Sequence, residues 1–350
     1  MTVYQINPLQ DGRWPEFLQA HPQASIFHTT GWLQCLQRTY GYEPSVLTTS
    51  APGSPLTNGV VFCRVKSWLT GERMVSVPFA DHCQPLFEDA EDFFAVLEWA
   101  GRRAGKNSRR PVEIRPLDDS ILGLAEHTDF RVSKTFRLHL LDLAPSLEEL
   151  LRAFDKDSVQ RRLRRADREN LVYEEGSSPA LLKKFYRLQV LTRRRHQAPP
   201  QPFAWFRNLV TILGENAKIR VVSKGETLVA SILTLSSNGT EVYKYGCSDA
   251  AHNNLAGTPH LFWKTIQDAK RRGAHTFDMG RSDLDNPGLV KFKSNWGAKD
   301  LSLTYWRCPQ GQGRSMFAAS QGQKMGGYLV SRLPDNLLIL LGRMLYKHIG

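Results

Sequence analysis

Between residues 217 and 279 the sequence spells three strands, a helix and a fourth strand with little chain to spare. Residues 217–223, 227–235 and 240–248 read as strands, and the turns joining them, Lys224-Gly225-Glu226 and Ser237-Asn238-Gly239, make antiparallel hairpins. Thr258-Pro259 then reads as an N-cap followed by proline at the first helical position, opening a helix that runs to about Arg272 and stops at Gly273. A strand over 276–279, a polar loop and a last strand over 301–307 follow. Hairpins leading into a β-α-β crossover are α+β and do not suggest a doubly wound sheet.

The preceding chain mixes both elements. Strands are expected over 3–6, 45–49, 59–65, 74–77, 112–115 and 135–141, and helices over 13–20, 29–40 and 90–104. Ala144-Pro145-Ser146 reads as a boundary, because Ser146 and Glu149 complete a capping box at the start of a helix over 147–154. Helices over 158–170, 179–195 and 204–213 and a strand over 171–174 come next. Gln310–Gly313 and Gly326-Gly327 suggest a tether, and Leu333, Leu337, Leu340, Leu341, Met344, Leu345 and Ile349 form an apolar stripe beside Arg332, Arg343 and Lys347. The expected organisation is a first domain over 1–145, a second over 146–310, and a tether with an amphipathic helix over 311–350.

Composition narrows the function. The chain of 350 residues has 46 Lys+Arg against 34 Asp+Glu, a net +12, which favours an anionic partner. Residues 151–200 hold 13 Lys+Arg against six acids, so +7 of that charge lies in one seventh of the chain. Arg161, Arg165 and Arg168 share a helix face there, and like charges so close repel unless an anion intervenes. The plain alternative is a solvated face. Cys35, Cys63, Cys83, Cys247 and Cys308 are scattered and include no C-x-x-C, arguing against a disulfide framework or a zinc site. With no leader-like start and no apolar run long enough to span a bilayer, a cytoplasmic protein is expected. No phosphate-loop, dinucleotide, zinc-protease or nucleophile-elbow motif is present.

The richest residues cluster where strands end and helices begin. They are Tyr243-Lys244-Tyr245-Gly246-Cys247-Ser248, Asn253-Asn254-Leu255-Ala256-Gly257-Thr258-Pro259, Phe277-Asp278-Met279-Gly280-Arg281-Ser282, and Gly288-Leu289-Val290-Lys291-Phe292-Lys293-Ser294-Asn295-Trp296-Gly297. With Phe27-His28-Thr29-Thr30-Gly31-Trp32, Val77-Pro78-Phe79-Ala80-Asp81 and the basic run from Ser158 to Ala166, this pattern resembles the Fem-type (FemAB-like) aminoacyltransferases and the BioF-like acyltransferases of the GNAT superfamily. The subset found with exosortase and exopolysaccharide loci is the nearest likeness.

That resemblance implies two GNAT-like domains in tandem and transfer of an acyl or aminoacyl group to a primary amine. The amine would sit on a small-molecule or lipid-linked acceptor, such as a cell-envelope or exopolysaccharide precursor. The donor would be an acyl-CoA, an acyl carrier or an aminoacyl-tRNA, with no permanently bound cofactor and no metal. By the family's motif Lys293 is the oxyanion stabiliser or acyl-end contact. Asp81 is the candidate general base, and Asp278 either takes part in catalysis or caps its own loop. Tyr245, Ser248, Asn254, Thr258, Arg281, Ser282, Phe292, Phe79 and His82 are candidate substrate contacts, and Arg161, Arg165 and Arg168 candidate anion contacts. Pro259 departs from the usual GNAT pyrophosphate loop by removing one amide from the cradle. The rival reading is a non-catalytic GNAT-fold module held to RNA or to an anionic inner leaflet by the basic helix and tail. The tail either packs on the fold or lies on that leaflet.

Overall fold

The computed structural model of the protein describes residues 1–104, 110–118, 128–308 and 330–350. In chain order they form strands β1 (Tyr4–Ile6), β2 (Glu43–Thr48), β3 (Val60–Ser67), β4 (Gly71–Val75), β5 (Val112–Ile114), β6 (Arg131–Asp142), β7 (Val172–Gly176), β8 (Ala217–Lys224), β9 (Thr227–Ser237), β10 (Thr240–Ser248), β11 (Thr276–Asp283) and β12 (Lys299–Cys308). The helices are α1 (Arg13–Ala20), α2 (Thr30–Tyr40), α3 (Ala90–Ala104), α4 (Leu147–Ala153), α5 (Arg161–Arg168), α6 (Pro179–Arg195), α7 (Phe203–Leu213), α8 (Gly257–Arg271), α9 (Pro287–Ser294) and α10 (Asp335–Leu345). The fold is α+β. Most of the expected tether lies outside the described residues.

Contacts divide the chain into two compact units. Unit 1 holds the described residues of Met1–Phe136, Ser302–Ala318 and Leu345–Gly350, and unit 2 those of Arg137–Leu301 and Ala319–Met344. The division falls inside β6 and β12 and not in the loop at Pro145. In unit 1 the strand order is β1-β2-β3-β4-β5-β12, antiparallel throughout except for the parallel pair β4/β5. In unit 2, β7, β8, β9 and β10 are antiparallel, β10 and β11 are parallel, and β6 lies on β11. The two plans match. Each has an antiparallel run, a parallel pair joined through a helix (α3 or α8), and a final strand that follows the other unit's crossover in sequence.

Local signals account for much of this. Gly225 and Gly239 have φ of 57° and 67°, the left-handed values that tight hairpins need. Ser146 and Glu149 form the reciprocal capping box that starts α4. Each unit buries its own core: Phe62, Phe93, Val96 and Phe130 in unit 1, and Phe262, Phe277, Met279 and Trp296 in unit 2. Among the described residues no helix is long and apolar enough to cross a membrane.

Three expectations need correction. The helix over 158–170 is shorter, because the Asp155 carboxylate accepts the amides of Asp157 and Ser158 and sets a wide turn over Lys156–Gln160 before α5 begins. Helix α8 begins at Gly257, with Ala256 rather than Thr258 at the N-cap and no side-chain cap. A Cβ on Gly257 would stand 2.7 Å from Val229 Cγ1, so close packing on the sheet fixes where this helix starts. The polar loop after residue 279 is largely ordered, as the end of β11 and as α9.

His28 supplies a pH dependence. Its Nδ1 accepts the Ser25 amide at 3.0 Å, so Nε2 carries the proton and donates to the Gln84 carbonyl at 2.8 Å. Burial pushes its pKa down to about 4. An unfolded chain takes up that proton near 6.5, so the stability from a neutral His28 is complete above about 6.5 and is lost as pH falls toward 4, by up to about 3 kcal/mol. Urea midpoints across that window should fall more steeply for the wild-type protein than for His28→Gln.

Candidate functional site

Unit 2 gathers seven of the predicted residues around one opening. Strands β10 and β11 pair only over Thr240–Val242 and Thr276–Asp278, and then part. Beyond that point β10 bulges: Tyr243 pairs with Thr234 and Tyr245 with Leu233, leaving Lys244 out of register. A parallel pair that parts toward its carboxyl ends exposes backbone amides where a ligand can enter.

The start of α8 lies beside β9. With Ala256 left-handed and no side chain capping the first turn, the amides of Gly257 and Thr258 and the positive end of a 15-residue helix stay open to an anion. A cavity of about 280 Å³ adjoins this end, lined by Val229, Ala230, Ser248, Thr258, Phe292 and Arg162, among others. A larger one of about 650 Å³ is lined by Arg161, Arg162, Arg165, Arg168, Asn253 and Asn254, with Glu169 and Ala256. Arg162 and Asn253 border both, so the two adjoin. Glu169 is held by Lys224 and Arg165, and this pairing keeps its carboxyl below the usual carboxylate range. The walls therefore present four guanidinium groups against one neutralised acid.

The structure thus brings Arg161, Arg165, Arg168, Asn254, Ser248, Thr258 and Phe292 together. Arg162 joins them and is missed by sequence reasoning, since counting one helix face at i, i+4, i+7 passes over the residue beside it. The Phe292 ring rests on Phe262 at 5.4 Å, which fixes the cavity's inner wall.

The other predicted residues are placed differently. Lys293 is buried, and its ammonium donates to the carbonyls of Gly280 at 2.7 Å and Arg281 at 2.9 Å, tying α9 to β11. The buried Asp278 carboxylate accepts the Gly280 amide at 2.7 Å, the local cap that its position suggests. Ser282 is buried with no hydrogen-bond partner for its hydroxyl. His139, on β6, is also fully buried with neither ring nitrogen hydrogen-bonded; burial and then the Lys293 charge lower its pKa. Tyr245 accepts the Trp205 indole N–H at 2.8 Å, and its ring meets Phe206 edge-on. Arg281 is half-buried on β11.

Asp81, His82 and Phe79 belong to unit 1. The Asp81 carbonyl accepts the Tyr305 hydroxyl, and the His82 ring stands edge-on to Phe27 at 5.7 Å. Phe79 has a φ of 61°, and its ring packs among Tyr40, Tyr42 and Tyr346.

Residues 155–293 match the family model of the acetyltransferase (GNAT) domain. In structure the chain is similar to FemX, at 15% identity and a TM-score of 0.68 over 88% of this chain and 97% of that one. It is similar to L-PGS from Bacillus licheniformis, at 15% identity and a TM-score of 0.54 over 93% and 97%. It also matches a tandem GNAT protein from the clavulanic acid biosynthesis pathway, at 11% identity and 0.55 over 88% and 98%. These likenesses establish the tandem GNAT fold. No curated protein matches the sequence.

Proposed function

We propose that the chain, whose residues 155–293 match the acetyltransferase (GNAT) domain and whose fold is similar to that of FemX, is an acyltransferase that moves an acyl or aminoacyl group from a phosphate-bearing donor onto a primary amine of a cell-envelope or exopolysaccharide precursor. One observation carries this reading: four arginines and an uncapped helix start line two adjoining cavities, the smaller of which has Val229, Ala230 and Phe292 in its wall. Phosphates of the donor would lie on Arg161, Arg162, Arg165 and Arg168 and on the amides of Gly257 and Thr258. The smaller cavity would hold the acyl end.

The chemistry then asks mainly for positioning. The amine nitrogen attacks the donor carbonyl carbon, a C–N bond forms, and the C–S bond of a thioester or the C–O bond of an aminoacyl ester breaks. The proton given up by the amine goes to the departing thiolate or alkoxide, which leaves as the thiol or the free hydroxyl. Amides on the freed edge of β10, past Val242, are donors for the transient oxyanion. Lys293 acts in this reading as a positioning residue, since its ammonium holds the β11 carbonyls at the edge of the opening. The acceptor class is suggested by the fold shared with FemX and L-PGS.

Two donor sources share this chemistry. Calorimetric titration with acetyl-CoA, and separately with aminoacyl-tRNA, tells them apart. Binding of one, with release of its thiol or its uncharged tRNA in the presence of an amine, is the expected result. Phe292→Glu, which puts a charge in the acyl cavity, should abolish release while leaving a phosphate-only ligand such as pyrophosphate bound. Failure of both donors to bind, or release that Phe292→Glu leaves unchanged, overturns the reading.

A further inference from the structure

Helix α10 has one face committed to the protein and another that is bare. On the inner side Arg194 donates to the Leu333 carbonyl at 2.9 Å and pairs with Asp335, Leu338 is fully buried, and a Cβ on Gly342 would stand 2.0 Å from the Pro200 carbonyl oxygen. That contact leaves no room to turn the helix over. On the outer side Leu337, Leu340 and Met344 are 51%, 49% and 57% exposed. Their i, i+3, i+7 spacing puts them on a single stripe. Single exposed leucines are ordinary, but an aligned apolar stripe marks an interaction surface.

Charge indicates what that surface meets. Arg332, Arg343 and Lys347 are exposed beside the stripe. The one acid in residues 330–350 is Asp335, already held by Arg194. The turn Tyr346–His348 follows the helix in sequence and carries Lys347. Leucines and methionine flanked by cations match the boundary between anionic headgroups and acyl chains.

We propose that the outer face of α10 docks on an anionic lipid bilayer, Leu337, Leu340 and Met344 entering the headgroup boundary and Arg332, Arg343 and Lys347 meeting lipid phosphates. The residues involved are not those of the transferase reading, so either can fail without the other.

The test is co-sedimentation of the full chain with phosphatidylcholine vesicles, with and without phosphatidylglycerol. Binding should need the anionic lipid and weaken with salt. Each of Arg343→Ala and Lys347→Ala should weaken it about fivefold. The triple variant Leu337→Glu/Leu340→Glu/Met344→Glu should abolish it. Because all three side chains point outward, circular dichroism and thermal unfolding should match the wild type, and acetyl-CoA or tRNA titration should be unchanged. Absence of binding, or binding that the triple variant leaves intact, overturns the proposal. So does a stripe-dependent dimer in light scattering with no affinity for vesicles, since a second copy would then be the occupant.

Discussion

Replacing Arg161, Arg165 and Arg168 together with alanine should weaken donor binding by about two to three orders of magnitude, on the usual ~1.5–3 kcal/mol for a hydrogen bond to a charged group, discounted because these side chains are exposed. All three line the larger cavity, whose one lining acid, Glu169, is shared between Lys224 and Arg165. The anion of a ligand relieves the repulsion that this single carboxylate leaves. The loss should therefore shrink as salt is raised and the wild-type affinity itself declines. Calorimetric titration at low and moderate salt reads both quantities. The variant should fold normally, because the buried residues of α5 are Leu163 and Ala166 and none of the three arginines. A triple variant that binds the donor as tightly as the wild type would show that the phosphates lie elsewhere.

How far the sequence reveals this site depends on the kind of interaction. The unit 2 hairpins are legible because Gly225 and Gly239 sit where left-handed backbone is needed, and α4 because its capping box is local. The basic face of α5 is legible through helical spacing. What closes each sheet is not. β6 follows β5 in sequence yet lies on β11, and β12 follows β11 yet lies on β5. Hydrophobic alternation says that a strand exists and says nothing about which edge it joins. The environment of Lys293 is hidden for a similar reason. Its position two residues after Lys291 suggests that one of the pair is solvated, but only the tertiary structure shows the carbonyls of Gly280 and Arg281 closing on its ammonium. Arg162, Ser282 and His139 acquire their surroundings in the same way, from neighbours distant in sequence.

Arg220 is the position where one substitution should do the most damage to the fold. Its guanidinium is fully buried on β8, bonded to Thr234 Oγ1 at 2.6 Å and to the Asp268 carboxylate, with Glu241 at 3.5 Å. Glu241 and Asp268 are themselves buried, and both also reach Arg272. Lys218 adds a bridge to Asp268 at 3.1 Å. Taking the central cation away leaves two buried carboxylates with only edge partners, a change that costs about 3–5 kcal/mol. Arg220→Met keeps much of the side-chain volume, so this cost is electrostatic and not that of a cavity. A second change separates the two: in Arg220→Met/Asp268→Asn one of the stranded charges is gone, and part of the stability should return. Urea unfolding of the wild type, both single variants and the double variant closes the cycle, with a coupling of at least ~1 kcal/mol expected for groups in direct contact. Acid should reveal the same network, because the cations around Asp268, against the upward push of its burial, hold its carboxyl below the ordinary value. That contribution is complete above the unfolded carboxylate range and is lost as pH falls through the lowered native value, so the stability gap between wild type and Arg220→Met should narrow in acid.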